Sequence, residues 1–197
     1  MPVIECDVDA AREKLRDAGA EISEGQTDHE RWRASRGDAV AVAYDGKVVV
    51  QGKRPADVEA VLRDHGGRAH LYFDGASRGN PGPAAAGWVI VTSDGIVAEG
   101  GERVGRMTNN QAEYEALIRA LRAAQEYGFD RVEIRGDSQL IVKQVTGAWR
   151  TKNPELRERR VTVRELLDSF DSWALTHVPR EINERADKLA NEALDDG

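Results

Sequence analysis

Four acids stand where the surrounding pattern of apolar residues leaves little room for charge. Asp74 follows the run Leu71-Tyr72-Phe73 and precedes Gly75. Glu113 lies four residues before Leu117, on the stripe Leu117, Ala120, Leu121 and Ala124 that a helix would bury. Asp137 closes the strand-like VEIRG just before SQLIVKQV, and Asp187 lies between Ala186 and Ala190 near the start of the last helical stretch. Each has a plain reading by itself: a carboxylate favoured by a helix dipole for Glu113, a helix N-cap for Asp137, a solvated helix residue for Asp187. Taken together, acids from four separate elements, each at an end or in a first turn, suit a different chemistry. A buried carboxylate without a partner is costly unless it is protonated or holds a cation, and an all-oxygen set suits Mg²⁺ or Mn²⁺. Paired ions about 4 Å apart can clamp a phosphodiester. Cys6 is the only cysteine, which excludes an intramolecular disulfide framework and a thiolate zinc cluster.

The elements that must carry these acids fall into two segments. In the first, VIECDV reads as a short strand and the stretch from Asp7 to Ala18 as a helix with Val8, Ala11, Leu15 and Ala18 on one face. Three strands follow, in ERWRASRG, AVAVAY and KVVVQG, the last two joined by Asp45-Gly46; RPADVEAVLRDHGG then gives a helix ended by a double glycine. A boundary near Arg68 separates this small α+β module, residues 1–68, from residues 69–197. The second segment reads as strands over 70–74, 87–92 and 96–102, with a turn at Asp94-Gly95, and a helix over 109–127 opened by a Thr108/Gln111 capping box. A strand over 131–135, helices over 138–146 and 154–170, a strand over 173–178 and a helix over 183–194 complete it. Three antiparallel strands followed by alternating helices and strands predict an α/β fold with a mixed five-stranded sheet flanked by helices.

The 197 residues carry 28 Lys+Arg against 35 Asp+Glu, a net charge of −7, so the chain does not bind polyanions simply by being basic. Arginine outnumbers lysine 22 to six, which fits either a GC-rich genome or a salty cytoplasm. No window approaches the roughly 18 apolar residues of a membrane span, and the N-terminus lacks a signal-peptide pattern. A soluble, cytoplasmic, monomeric protein without a membrane partner is expected.

The strings FDGASRGNPGPAAAG, TNNQAEYEAL, GDSQLIVKQVTGAW and THVPREINERADKLA, in that order, resemble the type 1 ribonucleases H, in a compact archaeal or reverse-transcriptase-like variety, across residues 69 to 194. The resemblance implies a ribonuclease-H-like fold and a metal-dependent endoribonuclease that cuts the RNA strand of RNA/DNA hybrids, leaving 5′-phosphate and 3′-hydroxyl ends. It implies that Asp74 and Asp137 bridge two Mg²⁺ or Mn²⁺ ions, that Glu113 holds one of them on the substrate side and that Asp187 completes the other. His177, ten positions before Asp187, matches the family's loop histidine, which assists proton transfer or product release. Here VPREI follows it instead of a glycine-containing loop with a second histidine, and its alternation with Trp173 and Leu175 also fits a core or edge residue.

The resemblance further implies backbone and polar contacts to the hybrid from Gly75, Ser77 and Asn80 in the glycine-rich turn and from Asn109, Asn110 and Gln111 at the helix start. RGNPGP alone is a tight turn, and without Gly-Lys-Ser/Thr it is no nucleotide-binding loop. Where many bacterial members carry a basic helix and loop, this chain runs QVTGAWRTKNPELRERR, so Arg150, Lys152, Arg157, Arg159 and Arg160 either grip the hybrid or pair with Glu155, Glu158 and Glu165. The first segment is similar to the substrate-binding module that precedes type 3 ribonucleases H. Its Arg31, Arg33, Arg36, Lys47, Lys53 and Arg54, with Trp32 as a stacking residue, would contact substrate, against a stabilising or protein-contact role. The reading from another class is a ribonuclease-H-like module that holds hybrids or double-stranded RNA without cutting them. Four mutually repelling carboxylates speak against it.

Overall fold

Alternating small and branched apolar residues build the first sheet. The computed structural model describes residues 1–62, 67–92 and 95–196. The chain divides into two compact units, Met1–Asp64 with Glu126–Gly128, and His65–Gln125 with Phe129–Gly197. In the first unit, β1 (Val3–Glu5), α1 (Val8–Asp17), β2 (Glu21–Glu24), β3 (Trp32–Arg36), β4 (Ala39–Tyr44), β5 (Lys47–Gly52) and α2 (Ala56–Leu62) follow in order. The strands form one antiparallel sheet, β1-β5-β4-β3-β2. Asp7 caps α1, its Oδ1 accepting from the Asp9 and Ala10 amides at 3.0 and 3.1 Å. Leu15, Trp32, Ala34, Ala41, Val48 and Val58 are among the residues of its core.

Two features depart from the sequence reading. The unit has a fourth strand after α1, the edge strand β2, which holds a single apolar residue, Ile22, and pairs only with β3. Trp32 is 3% exposed and donates from Nε1 to the Val8 carbonyl at 3.0 Å, so it fills the core and is not available to stack on a base. The double glycine after α2 and the turn at Asp94-Gly95 fall at least partly outside the described residues.

The second unit runs β6 (Arg68–Ser77), β7 (Gly82–Thr92), β8 (Gly95–Met107), α3 (Asn109–Glu126), β9 (Arg131–Gly136), α4 (Gln139–Thr146), α5 (Pro154–Asp168), β10 (Ser172–His177), a 3₁₀ turn (Arg180–Asn183) and α6 (Glu184–Asp195). Its sheet has the order β10-β9-β6-β7-β8, parallel on the β10-β9-β6 side and antiparallel beyond, so the strand that ends in Asp74-Gly75-Ala76-Ser77 is central. β6, β7 and β8 are longer than the pattern predicts because small residues extend them: Gly75–Ser77 pair with Ala84–Ala86, and Gly82–Ala86 pair with the far end of β8. Those alanines have weak strand propensity, yet they are buried, and packing decides. Side chains of Ala69, Leu71 and Phe73 alternate into the core. Among the described residues, no helix is long and apolar enough to cross a membrane.

Candidate active site

Glycines let three elements converge on the end of β6. A Cβ on Gly75 would lie 2.2 Å from the Ala112 carbonyl carbon and 2.3 Å from the Glu113 nitrogen, so only glycine lets α3 begin this close to the strand. A Cβ on Gly87 would lie 2.2 Å from the Ala186 carbonyl oxygen, and one on Gly101 2.5 Å from that of Leu189. That glycine strip seats α6 on β7 and β8 and brings Asp187 toward the central strand. Asp137 arrives from the parallel neighbour β9, whose Gly136 pairs with Phe73. The α3 start is fixed by the expected capping box: the Gln111 amide N–H donates to Thr108 Oγ1 at 3.2 Å, and the Thr108 amide to Gln111 Oε1 at 2.8 Å.

The outcome is a cluster in which Asp74, Glu113 and Asp137 each offer an oxygen within 4.8 Å of the other two. Asp74 is 4% and Glu113 5% exposed. Glu113 Oε2 is buried with no hydrogen-bond partner among the described residues. Burial, with repulsion from Glu113 and Asp137 and a hydrogen bond that the protonated acid donates to Asp187, pushes the Asp74 carboxyl up to about 10. Burial and the charge of Asp137 push Glu113 up to about 8, partly offset by a backbone hydrogen bond from Gly75. No Lys or Arg forms an ion pair with any of the three among the described residues. An orphaned buried oxygen and a concentrated, uncompensated acid set fit hard divalent cations.

Asp187 is half-buried and joins the cluster through Asp74, outside the tight trio; Asn191 Nδ2 steadies its Oδ1 at 3.1 Å. The N-cap of α4 is Ser138, whose hydroxyl accepts from the Ile141 amide, so Asp137 is left to the cluster. His177 is exposed on the edge strand β10, with Nε2 3.2 Å from the Asp137 carbonyl oxygen. A carbonyl can only accept, so Nε2 carries the proton in that bond, and Nδ1 has no hydrogen-bond partner among the described residues.

The residues expected to contact substrate divide. Asn80, Asn109 and Asn110 are exposed, and Asn80 Oδ1 accepts from the Asn109 amide at 3.3 Å, joining the turn to the helix start. Ser77 points its hydroxyl at the chain itself, donating to the Met107 carbonyl at 2.9 Å and approaching that of Gly79. Gly75 provides close approach, as described. Gln111 is buried, with its oxygen in the capping box and its nitrogen on Glu155.

The basic stretch after α4 makes no ion pair with Glu155, Glu158 or Glu165 among the described residues. Arg159 pairs with Glu115 of α3 at 3.1 Å, and Arg160 donates to the Gln144 carbonyl at 2.7 Å. Arg157 holds the Thr151 carbonyl at 3.2 Å, while Arg150 and Lys152 have no carboxylate partner among the described residues. A cavity of about 440 Å³ is lined by Gly147, Trp149, Arg150, Thr151, Lys152, Arg157 and Arg160. In the first unit, by contrast, Arg33 forks onto Glu30 at 2.8 and 2.9 Å, Arg31 pairs with Asp45, and Arg54 pairs with Asp57.

Asn183 escaped the sequence reading, which placed it as an ordinary helix start. Its Nδ2 donates to the Phe73 carbonyl at 2.8 Å, 110 residues away in the chain.

Comparison with known proteins agrees with this geometry. Residues 72–193 match the family model described as reverse transcriptase-like. The chain is 65% identical to the ribonuclease HI of Halobacterium salinarum over 198 residues, covering all of both chains. The crystal structure of RNase H1 from the same halophilic archaeon superposes with a TM-score of 0.65 at 70% identity, covering 66% of this chain and all of that one. That of LC11-RNase H1 in complex with an RNA/DNA hybrid gives 0.62 at 42% identity, over 65% and 97% of the two chains. A match of this identity along the whole length, with the fold and the acidic cluster in place, settles the family: the chain belongs to the type 1 ribonucleases H.

Proposed function

We propose that this protein is a metal-dependent endoribonuclease that hydrolyses the RNA strand of RNA/DNA hybrids, leaving 5′-phosphate and 3′-hydroxyl ends. The observation that carries the reading is the trio Asp74, Glu113 and Asp137, brought within 4.8 Å from three elements with no ion-paired Lys or Arg among the described residues to balance it. These three, with Asp187, would hold Mg²⁺ or Mn²⁺, two ions in the family's scheme. The ions, when bound, supply an acidified water and neutralise charge at the phosphorus and the leaving oxygen.

The chain's own residues do the rest. The four carboxylates fix where the cations sit and so where the scissile phosphate must lie. His177, exposed with Nε2 on the Asp137 carbonyl, can take or give a proton there. The exposed amides Asn80, Asn109 and Asn110 are neutral donors and acceptors, which suit sugar and phosphate contacts that read no sequence. Arg150, Lys152 and Arg157 around the cavity, with Trp149 half-exposed beside them, are the cations best placed in this unit to meet the phosphates of the uncut strand. In this reading the second unit, from β6 onward, carries catalysis, the first forms a separate α+β module, and the protein works in the cytoplasm as a monomer.

The test is a hybrid with end-labelled RNA, incubated with Mg²⁺ or Mn²⁺ beside duplex RNA, duplex DNA and single-stranded RNA. Cleavage confined to the RNA of the hybrid and abolished by chelation is expected. Hybrid binding without cleavage in either metal would overturn the proposal.

A further inference from the structure

An asparagine at a helix start ordinarily turns its side-chain oxygen onto the first free N–H groups of its own helix. Asn183 stands at that position, as the last residue of the 3₁₀ turn just before α6, and makes no such bond. Its amide reaches across to the central strand instead, donating to the Phe73 carbonyl at 2.8 Å. The residue is 1% exposed, and its Oδ1 is buried with no hydrogen-bond partner among the described residues. An uncapped helix start and an orphaned oxygen are both unfavourable, and such local violations gather where geometry is needed for function.

The location supplies that reason. Phe73 immediately precedes Asp74, and Asn183 precedes Asp187 by one helical turn. On its other side the Phe73 ring packs so tightly on Gly136 that a Cβ there would lie 2.4 Å from the ring, and Gly136 immediately precedes Asp137. The peptide leading into Asp74 is therefore tied through its ring to the strand end that carries Asp137, and through its carbonyl to the helix start that carries Asp187. Carboxylates that repel one another drift apart unless their backbones are held. A neutral amide holds them without competing for the cation they surround, as an arginine or lysine would.

We propose that Asn183 is a positioning residue of the metal site: its amide pins the Phe73–Asp74 peptide to the start of α6 and sets the spacing of Asp74 and Asp187 that cation binding requires. The inference rests on the metal-dependent reading above and concerns how the ligands are held.

Two substitutions in the full chain separate positioning from helix capping. Asn183→Ser keeps a residue type that suits an N-cap but is too short to reach the Phe73 carbonyl; Asn183→Gln keeps the amide donor and is a poor cap. Mn²⁺ uptake is measured by titration calorimetry without nucleic acid, with circular dichroism, kcat and KM alongside. Positioning predicts affinity in the order wild type, Asn183→Gln, Asn183→Ser. The serine variant should bind Mn²⁺ at least tenfold more weakly and lose at least tenfold in kcat, with KM for the hybrid changed less than threefold. Capping predicts a serine variant as good as wild type and a weaker glutamine variant, and that order would overturn the proposal. So would unfolded spectra for both variants, since Asn183 would then hold the fold and not the site. A wild-type protein that takes up no Mn²⁺ overturns the metal reading as well, whereas equal uptake by wild type and Asn183→Ser overturns this inference alone.

Discussion

Replacing Asp74 by asparagine should stabilise the metal-free protein while destroying its activity, and the gain should grow with pH. Asp74 is a carboxyl of ordinary value 3.8 that burial and the neighbouring acids push up to about 10. Between those values the folded chain holds a proton that the unfolded chain has released. Stability from this group is therefore fully present below pH 3.8 and is lost as pH rises toward about 10. The slope for one proton is about 1.4 kcal/mol per pH unit, so from pH 5 to pH 8 the ceiling is about 4 kcal/mol. Asparagine fills the same space and does not titrate. Removing the acid also removes the hydrogen bond that holds Glu113 down, and the amide keeps some desolvation cost, so about half the ceiling, about 2 kcal/mol, is the expected gain at pH 8.

For a domain of this size that is a rise of roughly 6 °C. The measurement is thermal unfolding of wild type and Asp74→Asn in EDTA at pH 5, 6.5 and 8 and constant ionic strength. The variant should melt above wild type at pH 8, with the gap closing toward pH 5. Added Mg²⁺ should raise the wild-type midpoint much more than the variant's, because only the intact carboxylate set gains from binding. A gap independent of pH, or a wild type that is the more stable at pH 8 in EDTA, would refute the repulsive, protonated cluster.

Asp137→Asn should lower kcat on hybrid at least a thousandfold in either metal with an unchanged circular dichroism spectrum, and substantial cleavage would remove Asp137 from the ligand set. Gly75→Ala drives a methyl to 2.2 Å from the Ala112 carbonyl carbon; denaturant unfolding should show a loss of about 3 kcal/mol, with cleavage falling as α3 shifts Glu113. Trp32→Ala should cost the first unit about 3 to 5 kcal/mol by the same method yet leave KM for hybrid within twofold, because the ring is core and not a stacking surface. Changing Arg150 and Lys152 together to glutamate should raise KM at least fivefold and flatten its dependence on salt, with kcat little altered; an unchanged KM would mean the basic cavity does not meet the substrate.

The acids were legible because each breaks a period. Glu113 sits on the buried stripe of an otherwise regular helix, and Asp74 interrupts an apolar strand, so sequence alone marks both as anomalies that need a partner. Elements with strong patterns were legible for the same reason: α3, α4 and the hairpin at Asp45-Gly46 lie where their residues place them. Strand β2 was not, because a four-residue edge strand that packs only Ile22 against the core leaves no apolar alternation to read. Trp32 was misread by its neighbours in sequence. Arg31 and Arg33 flank it, but alternation turns Trp32 and Ala34 inward together. The fates of Gln111 and Asn183 depend on Glu155 and Phe73, 44 and 110 residues away, and no local pattern encodes such pairings. Gly75 shows a subtler limit, since a glycine needed for a turn and one needed for close approach look alike until α3 is seen against it.

The net charge of −7 then ceases to be an obstacle to binding a polyanion and becomes a condition on it. The second segment has 17 basic and 21 acidic residues, and four of the acids converge at the cluster. Five of its arginines have other duties: Arg159 pairs with Glu115, Arg119 with Glu102 and Glu115, Arg185 with Glu99, and Arg160 and Arg164 hold the last carbonyls of α4. What remains near the site is a negative centre with cations at the cavity beside α4. A phosphate backbone approaching that surface meets repulsion until divalent ions fill the carboxylates, after which the same site attracts it. Metal and hybrid should therefore each tighten the binding of the other by the same factor, as linkage demands, and the attraction of the site for a phosphate backbone rests on that coupling rather than on a standing positive field.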